Sequence, residues 1–267
     1  MNKSVEEKIL ETMDNLNSDK YPLDQYENIG KRGVRRLDGH EKASGKALYT
    51  VDVQLPGMLH MRFLTSPFPH ARIKFMDTSQ AEAVPGVRAV LRFDDPELPR
   101  EADLGGHAPS SIPVLAGVAH FEGEEMGAAV AAESEAIAEE ALRRILVEWV
   151  KKPFILDTEK AFEPEAPLAN PDLYPDGNYY NQGMLDIDEL GDVEKGFAEA
   201  DQVIEFKSRR RLHTWIGPER PCGVFQWNGR YPEVWVKQQR PHICKRVISS
   251  WFGGIPMNRI QIHCLYQ

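Results

Sequence analysis

The stretch GHEKASGKA, from Gly39 to Ala47, puts two glycines and a lysine close to the spacing of a phosphate-binding loop. Such a loop needs four residues between its glycines and a Ser or Thr after the lysine to hold magnesium. Here five residues intervene and Ala47 occupies the hydroxyl position, so nucleotide binding is not expected. No GxGxxG follows a strand-like run, which removes the dinucleotide-binding reading. His213 and Glu219, separated by TWIGP, are a lone pair of a kind that is more often structural than catalytic. HExxH, Cys/His zinc spacing and a GxSxG nucleophile elbow are all missing from the sequence. Spacing alone therefore offers no complete active site, no catalytic residue and no metal-ligand set in this chain.

The formal net charge is −9, and the strongest basic run is only Arg209–Arg211. Nucleic-acid binding needs a broad basic surface, so none is expected, and the run reads as the charged flank of a strand. Cys222, Cys244 and Cys264 are too far apart for CxxC spacing and odd in number. They are read as buried free thiols rather than a disulfide framework. The N-terminus lacks the apolar segment of a signal peptide, and no run of about 18 apolar residues could span a membrane. A cytoplasmic location is the resulting expectation.

The elements that would position any chemistry are a mixture of helix and strand. Ile9, Leu10, Met13 and Leu16 recur at helical spacing in an N-terminal arm, residues 1–34, which would dock on another surface. Over residues 35–150, strands are expected at Ala47–Val53, Leu59–Thr65, Ala71–Met76, Val87–Leu91 and Ile145–Val150, with a short helix at Thr78–Ala83. A small-residue apolar run at Ala128–Ala132 leads into a helix from Glu135 to Arg144, with Ser134 as its N-cap. Residues 151–190, rich in Pro, Asp, Asn and Tyr, read as a linker. Over residues 191–267, Asp192 caps a short helix to Ala200. Strands are expected at Gln202–Leu212, Val224–Trp227, Glu233–Lys237 and Arg259–Leu265. Pro241 opens a helix whose apolar face is Ile243, Val247, Ile248, Trp251 and Phe252, and Gly253-Gly254 stop it.

Four stretches in order carry a family resemblance. Val34–Leu91, beginning VRRLDGHEKASGKALYTVD, resembles the opening of the molybdenum-binding subunits of the xanthine oxidase/aldehyde oxidase family, their a/b hammerhead domain. FEGEEMGAAVAAESEAIAEEALRRILVEW, Phe121–Trp149, resembles its second half. GDVEKGFAEADQVIE, Gly191–Glu205, is similar to the entry into the first molybdopterin-binding domain. VWVKQQRPHICKRVISSWFGGIPMNRIQIH, Val234–His263, resembles the strand, helix and strand that follow.

The resemblance implies an α+β chain, an a/b hammerhead domain followed by an incomplete first molybdopterin-binding domain. It implies a molybdopterin-type molybdenum cofactor and oxidation of a heteroaromatic, aldehyde or related substrate with oxygen from water. It also implies electron transfer to 2Fe–2S and FAD groups on partner subunits. In the family a glutamine at the end of the strand before the helix donates a hydrogen bond to an oxo ligand of molybdenum. In VKQQRPH that position is Gln239, with Gln238 as the neighbouring alternative. An amide suits the role because it is a neutral donor that does not titrate. The family's GGxFGG loop, expected after Arg259–Leu265, and its catalytic glutamate are not among these residues. The expectation is a split enzyme, in which a second molybdopterin-binding subunit supplies both and shares the cofactor. The alternative is a scaffold or assembly relative that kept the fold and lost the chemistry.

Overall fold

A computed structural model of the chain describes residues 36–100, 113–178, 191–210, 220–264 and 266. The expected helix of the N-terminal arm, the His213–Glu219 pair and Arg211 lie outside these residues. The chain divides into two units, one holding residues 1–49 with Tyr266 and the other holding 50–265 with 267.

In the first unit, helix α1 spans Gly39–Ser44. Asp38 pairs with Arg36 at 2.5 Å and with Lys42 at 2.7 Å. Hydrogen bonds from Arg36 first, then Lys42, hold its carboxyl down at about 2. Gly45, at φ 72°, ends the helix, and the amides of Lys46 and Ala47 donate to the Glu41 carbonyl at 2.9 and 3.1 Å. The glycine-lysine stretch is thus a capped helix, whereas a phosphate loop places its glycines ahead of a helix N-terminus.

Among the described residues, the second unit contains three three-stranded sheets. The first has the order β1-β5-β3, built from β1 (His60–Thr65), β3 (Val87–Arg92) and β5 (Glu125–Ala132), all antiparallel. The second has the order β4-β2-β6, from β2 (Ala71–Asp77), β4 (Val118–Ala119) and β6 (Leu146–Lys151). Strand β2 pairs with β6 from Ala71↔Lys151 to Asp77↔Leu146. Helices α2 (Ser79–Glu82) and α3 (Glu135–Arg143) complete this part.

Strand β5 explains the packing. Its sequence EMGAAVAA carries small residues on both faces, and Met126 through Val130 are all buried. Small side chains let a helix approach one face and a sheet the other. Ala138 and Ala141 of α3 are fully buried in the same core as Ala128, Val130, Ile73 and Met76. Burying Met126 alone stabilises the fold by about 1.5–3 kcal/mol. Ser134 caps α3 as expected, its hydroxyl accepting from the Ile137 amide at 3.3 Å.

Several expected elements are corrected. Ala47–Val53 is not a strand: Thr50–Asp52 is a 3-10 turn, closed by the Val53 amide on the Thr50 carbonyl at 3.2 Å. That local bond replaces a ladder. Residues 202–210, expected as a strand, are irregular and exposed throughout. Their β-branched and aromatic residues favour a pleated surface only where a neighbouring strand supplies one. Within 152–178 the regular structure is a single 3-10 turn at Lys160–Phe162. Asp192 does cap α4 (Val193–Glu199), accepting from the Lys195 amide at 3.0 Å. Among the described residues no helix is long and apolar enough to cross a membrane.

Candidate functional site

The third sheet carries the candidate site. Strand β7 (Gly223–Asn228) pairs antiparallel with β8 (Tyr231–Val236), and β8 pairs parallel with β9 (Gln261–His263). Helix α5 (Pro241–Trp251) makes the crossover between the parallel strands. Proline at its first position costs nothing, because that amide has no helical partner. Ile248 of α5 is buried with Val234 of β8 and Ile260, beside Val236, Cys244 and Ile262. The helix ends at glycines of positive φ, and the Gly254 amide reaches back to the Ser249 carbonyl at 2.8 Å. This is the long bond of a Schellman motif. Phe252 is not on the buried face expected for it. It is 44% exposed and stacks on Phe225 at 5.7 Å, with Trp227 edge-on at 5.4 Å. The expected strand Arg259–Leu265 is shorter, because Met257–Arg259 form a 3-10 turn.

In a parallel strand–helix–strand unit, ligands gather at the C-terminal ends of the strands, where the helix N-terminus also points. Lys237–Arg240 form that edge here. The two candidate glutamines differ. Gln238 is half-buried, and its side-chain Oε1 accepts from the Arg240 amide at 3.1 Å. Gln239 is exposed and has no hydrogen-bond partner among the described residues. Its amide is an open, uncharged donor at the strand-to-helix turn.

Two features here were invisible to sequence reasoning. Cys264, the residue after β9, donates its thiol to the Val236 carbonyl at 3.0 Å, with the Gln238 carbonyl at 3.4 Å. All three cysteines are free. None is fully buried, against the expectation: Cys222 is exposed and the other two are intermediate. Burial, then the neighbouring Cys264, pushes the Cys244 thiol up. The second feature is a network across all three strands. Gln226 donates to Glu233 at 2.9 Å, and His263 Nε2 lies 2.8 Å from the same carboxylate. Trp235 stacks on His263 with ring centres 4.8 Å apart. The Gln226 amide first, then His263, hold the Glu233 carboxyl below the usual carboxylate range.

Among the described residues, no group of three His, Cys, Asp or Glu could hold a metal ion. A groove of about 930 Å³ runs between the edge strands β1 and β7, lined by Leu59, Met61, Phe63, Val224 and Phe225 among others. It does not include either glutamine.

The fold defines a hammerhead-like α+β region followed by a parallel strand–helix–strand unit. Residues 44–153 match the family model described as aldehyde oxidase and xanthine dehydrogenase, a/b hammerhead domain, and residues 174–266 match the molybdopterin cofactor-binding domain. A probable xanthine dehydrogenase subunit from Bacillus subtilis (strain 168) is 35% identical over 205 residues, 76% of this chain and 26% of that protein. The nicotinate dehydrogenase large molybdopterin subunit of Eubacterium barkeri is 29% identical over 239 residues, 89% of this chain and 53% of that one. The crystal structure of quinoline 2-oxidoreductase from Pseudomonas putida 86 matches with a TM-score of 0.66 at 28% identity, over 86% of this chain and 29% of that one. The chain belongs to the xanthine oxidase/aldehyde oxidase family of molybdenum hydroxylases and matches its N-terminal part. It spans between about a quarter and about half the length of these relatives.

Proposed function

We propose that this chain is part of a molybdopterin-dependent oxidoreductase, to which it contributes the hammerhead domain over residues 35–150, a linker over 151–190 and the opening of the first molybdopterin-binding domain over 191–267. The observation that carries this is the open amide of Gln239 at the C-terminal edge of the β8–α5–β9 crossover, inside the stretch that matches the molybdopterin cofactor-binding domain. The residues fit the group. An uncharged donor can stand beside an oxo ligand without the desolvation cost of a buried ion.

The bound molybdenum cofactor would supply the redox centre for oxidising a heteroaromatic, aldehyde or related substrate with oxygen from water. This chain's own task would be orientation: Gln239 would offer one amide N–H to an oxygen ligand, and Gln238 stiffens the turn through Arg240. The rest of the cofactor site, with the family's glycine-rich loop and catalytic glutamate, comes from residues outside these 267. 2Fe–2S and flavin groups on partner subunits would take up the electrons. The nicotinate dehydrogenase relative is named as a large molybdopterin subunit, and this chain spans 53% of it.

Purification of the native assembly tests this reading, with metal and pterin analysis and mass spectrometry of every chain. One molybdenum and one pterin per copy of this chain are expected, together with a chain carrying the glycine-rich loop. An assembly containing this chain but neither molybdenum nor pterin would establish the scaffold reading instead.

A further inference from the structure

We propose that Cys264 is a positioning residue, whose thiol fastens the turn carrying Gln239 to the exit of β9. The proposal rests on the reading of Gln239 given above.

The parallel pairing of β8 and β9 stops at Trp235↔His263. Among the described residues the pairing of these two strands ends there, and Val236, paired with Gly223 of β7, is the last ladder residue before the turn. Cys264 is the first residue after β9, and its sulfur sits 3.0 Å from the Val236 carbonyl and 3.4 Å from that of Gln238. A thiol has one hydrogen, so it is shared between two carbonyls with the shorter contact favoured. On the far side of Gln239, Arg240 is fixed twice. Its amide donates to the Gln238 side chain at 3.1 Å. Its carbonyl accepts from the amides of Ile243 and Cys244 at 3.0 and 3.2 Å, which ties it to the first turn of α5.

Gln239 therefore lies between two anchors and has none of its own. The thiol holds the Val236 carbonyl first and the Gln238 carbonyl second, and the helix start sets Arg240. The peptide plane between them decides where the Gln239 side chain projects. An S–H is a weak donor, yet removing a half-buried one that faces two backbone acceptors takes a donor from both. Removing it frees the upstream anchor alone, which should tilt the turn without unfolding the sheet. A hydroxyl keeps the donor but prefers a shorter distance than sulfur, so Cys264→Ser should restore most of the effect and Cys264→Ala none of it.

Amide hydrogen exchange in the assembled protein tests the clamp without relying on turnover. In Cys264→Ala the Gln238 peptide should shift and carry its side-chain acceptor away from the Arg240 amide, which should then exchange about fivefold to tenfold faster, the factor that the loss of that one hydrogen bond allows, and Cys264→Ser should return it close to the wild-type rate. Unchanged exchange in Cys264→Ala overturns the proposal. If Cys264→Ala fails to assemble, the infrared difference spectrum between wild type and Cys264→Ser decides. An S–H stretching band shifted below that of a free thiol supports the clamp, and a band at the free-thiol position overturns it. Kinetics then separate the two readings. Cys264→Ala should lower kcat with KM nearly unchanged, and Cys264→Ser should rescue it. Wild-type turnover in Gln239→Ala would remove the role of Gln239, while the exchange rates would still decide on the clamp.

Discussion

Gly127 and Ile73 approach so closely that a methyl group on Gly127 would lie 2.6 Å from Ile73 Cδ1. Leu64 and Met76 would each be 3.1 Å from the same carbon. This contact joins the first sheet to the second at the centre of the hammerhead core. Gly127 also sits at φ +73°, a conformation that side chains disfavour. Gly127→Ala should therefore cost about 2–5 kcal/mol, from about 1–2 for the left-handed backbone and about 1–3 for overpacking. Gly57 has a similar φ of +72° but nothing within 4 Å, so Gly57→Ala should show only the backbone part, about 1–2 kcal/mol. Equal losses in thermal unfolding of the two variants would contradict this account of the core.

Glu233 should make the third sheet acid-sensitive. Its carboxyl is held below the ordinary 4.5 by the Gln226 amide and His263. A carboxyl lowered in the folded state favours folding fully above its unfolded value. That contribution is lost as pH falls through the lower folded value. Thermal midpoints followed from neutral pH down past 4.5 should fall in the wild type. They should fall less steeply in Glu233→Gln, which has no charge to lose. Parallel curves would rule out this network as a source of the acid loss.

The chain should need its assembly to remain dispersed. Phe225, Trp227 and Phe252 form an aromatic cluster in which each ring is nearly half exposed, and Ile204 and Phe206 are both 83% exposed. Apolar surface of this kind marks contact sites or aggregation-prone regions. Expressed without its partners, the protein should aggregate; the interface in the complex should be of the obligate type, above about 2,000 Å². A monodisperse, cooperatively folding preparation of this chain alone would count against it.

The hammerhead strands were legible because Leu59–Thr65, Ala71–Met76 and Val87–Leu91 carry strand-like residues between clear breaks such as Pro56-Gly57 and Pro85-Gly86. The strand β5 was harder to read. Burial on both faces removes the alternation that marks a half-exposed strand. The failures at 47–53 and 202–210 share a cause, since strand propensity cannot say whether a neighbour is available to pair. The turn holding Gln238 and Gln239 could be placed because a strand run meets Pro241. What holds that turn could not be read. The Cys264 contacts span 26 and 28 residues and the Glu233–His263 contact spans 30, and no local pattern signals either.

Gln239→Ala should leave the complex assembled and loaded with molybdenum while slowing turnover. Loss of one placed donor to a developing charge typically costs about 10²–10³ in rate. An oxo ligand that keeps its bonds through the reaction should put the effect at the lower end of that range or below it. Wild-type kcat and KM in a fully loaded variant would contradict the role.

The central claim is that the open amide of Gln239 is the chain's contact with the cofactor, and a high-resolution structure of the molybdenum-loaded assembly measures this directly. The account predicts the Gln239 side-chain nitrogen about 2.7–3.2 Å from an oxygen ligand of molybdenum. A Gln239 amide turned to solvent or to another protein group, with no cofactor atom within hydrogen-bond reach, would contradict it.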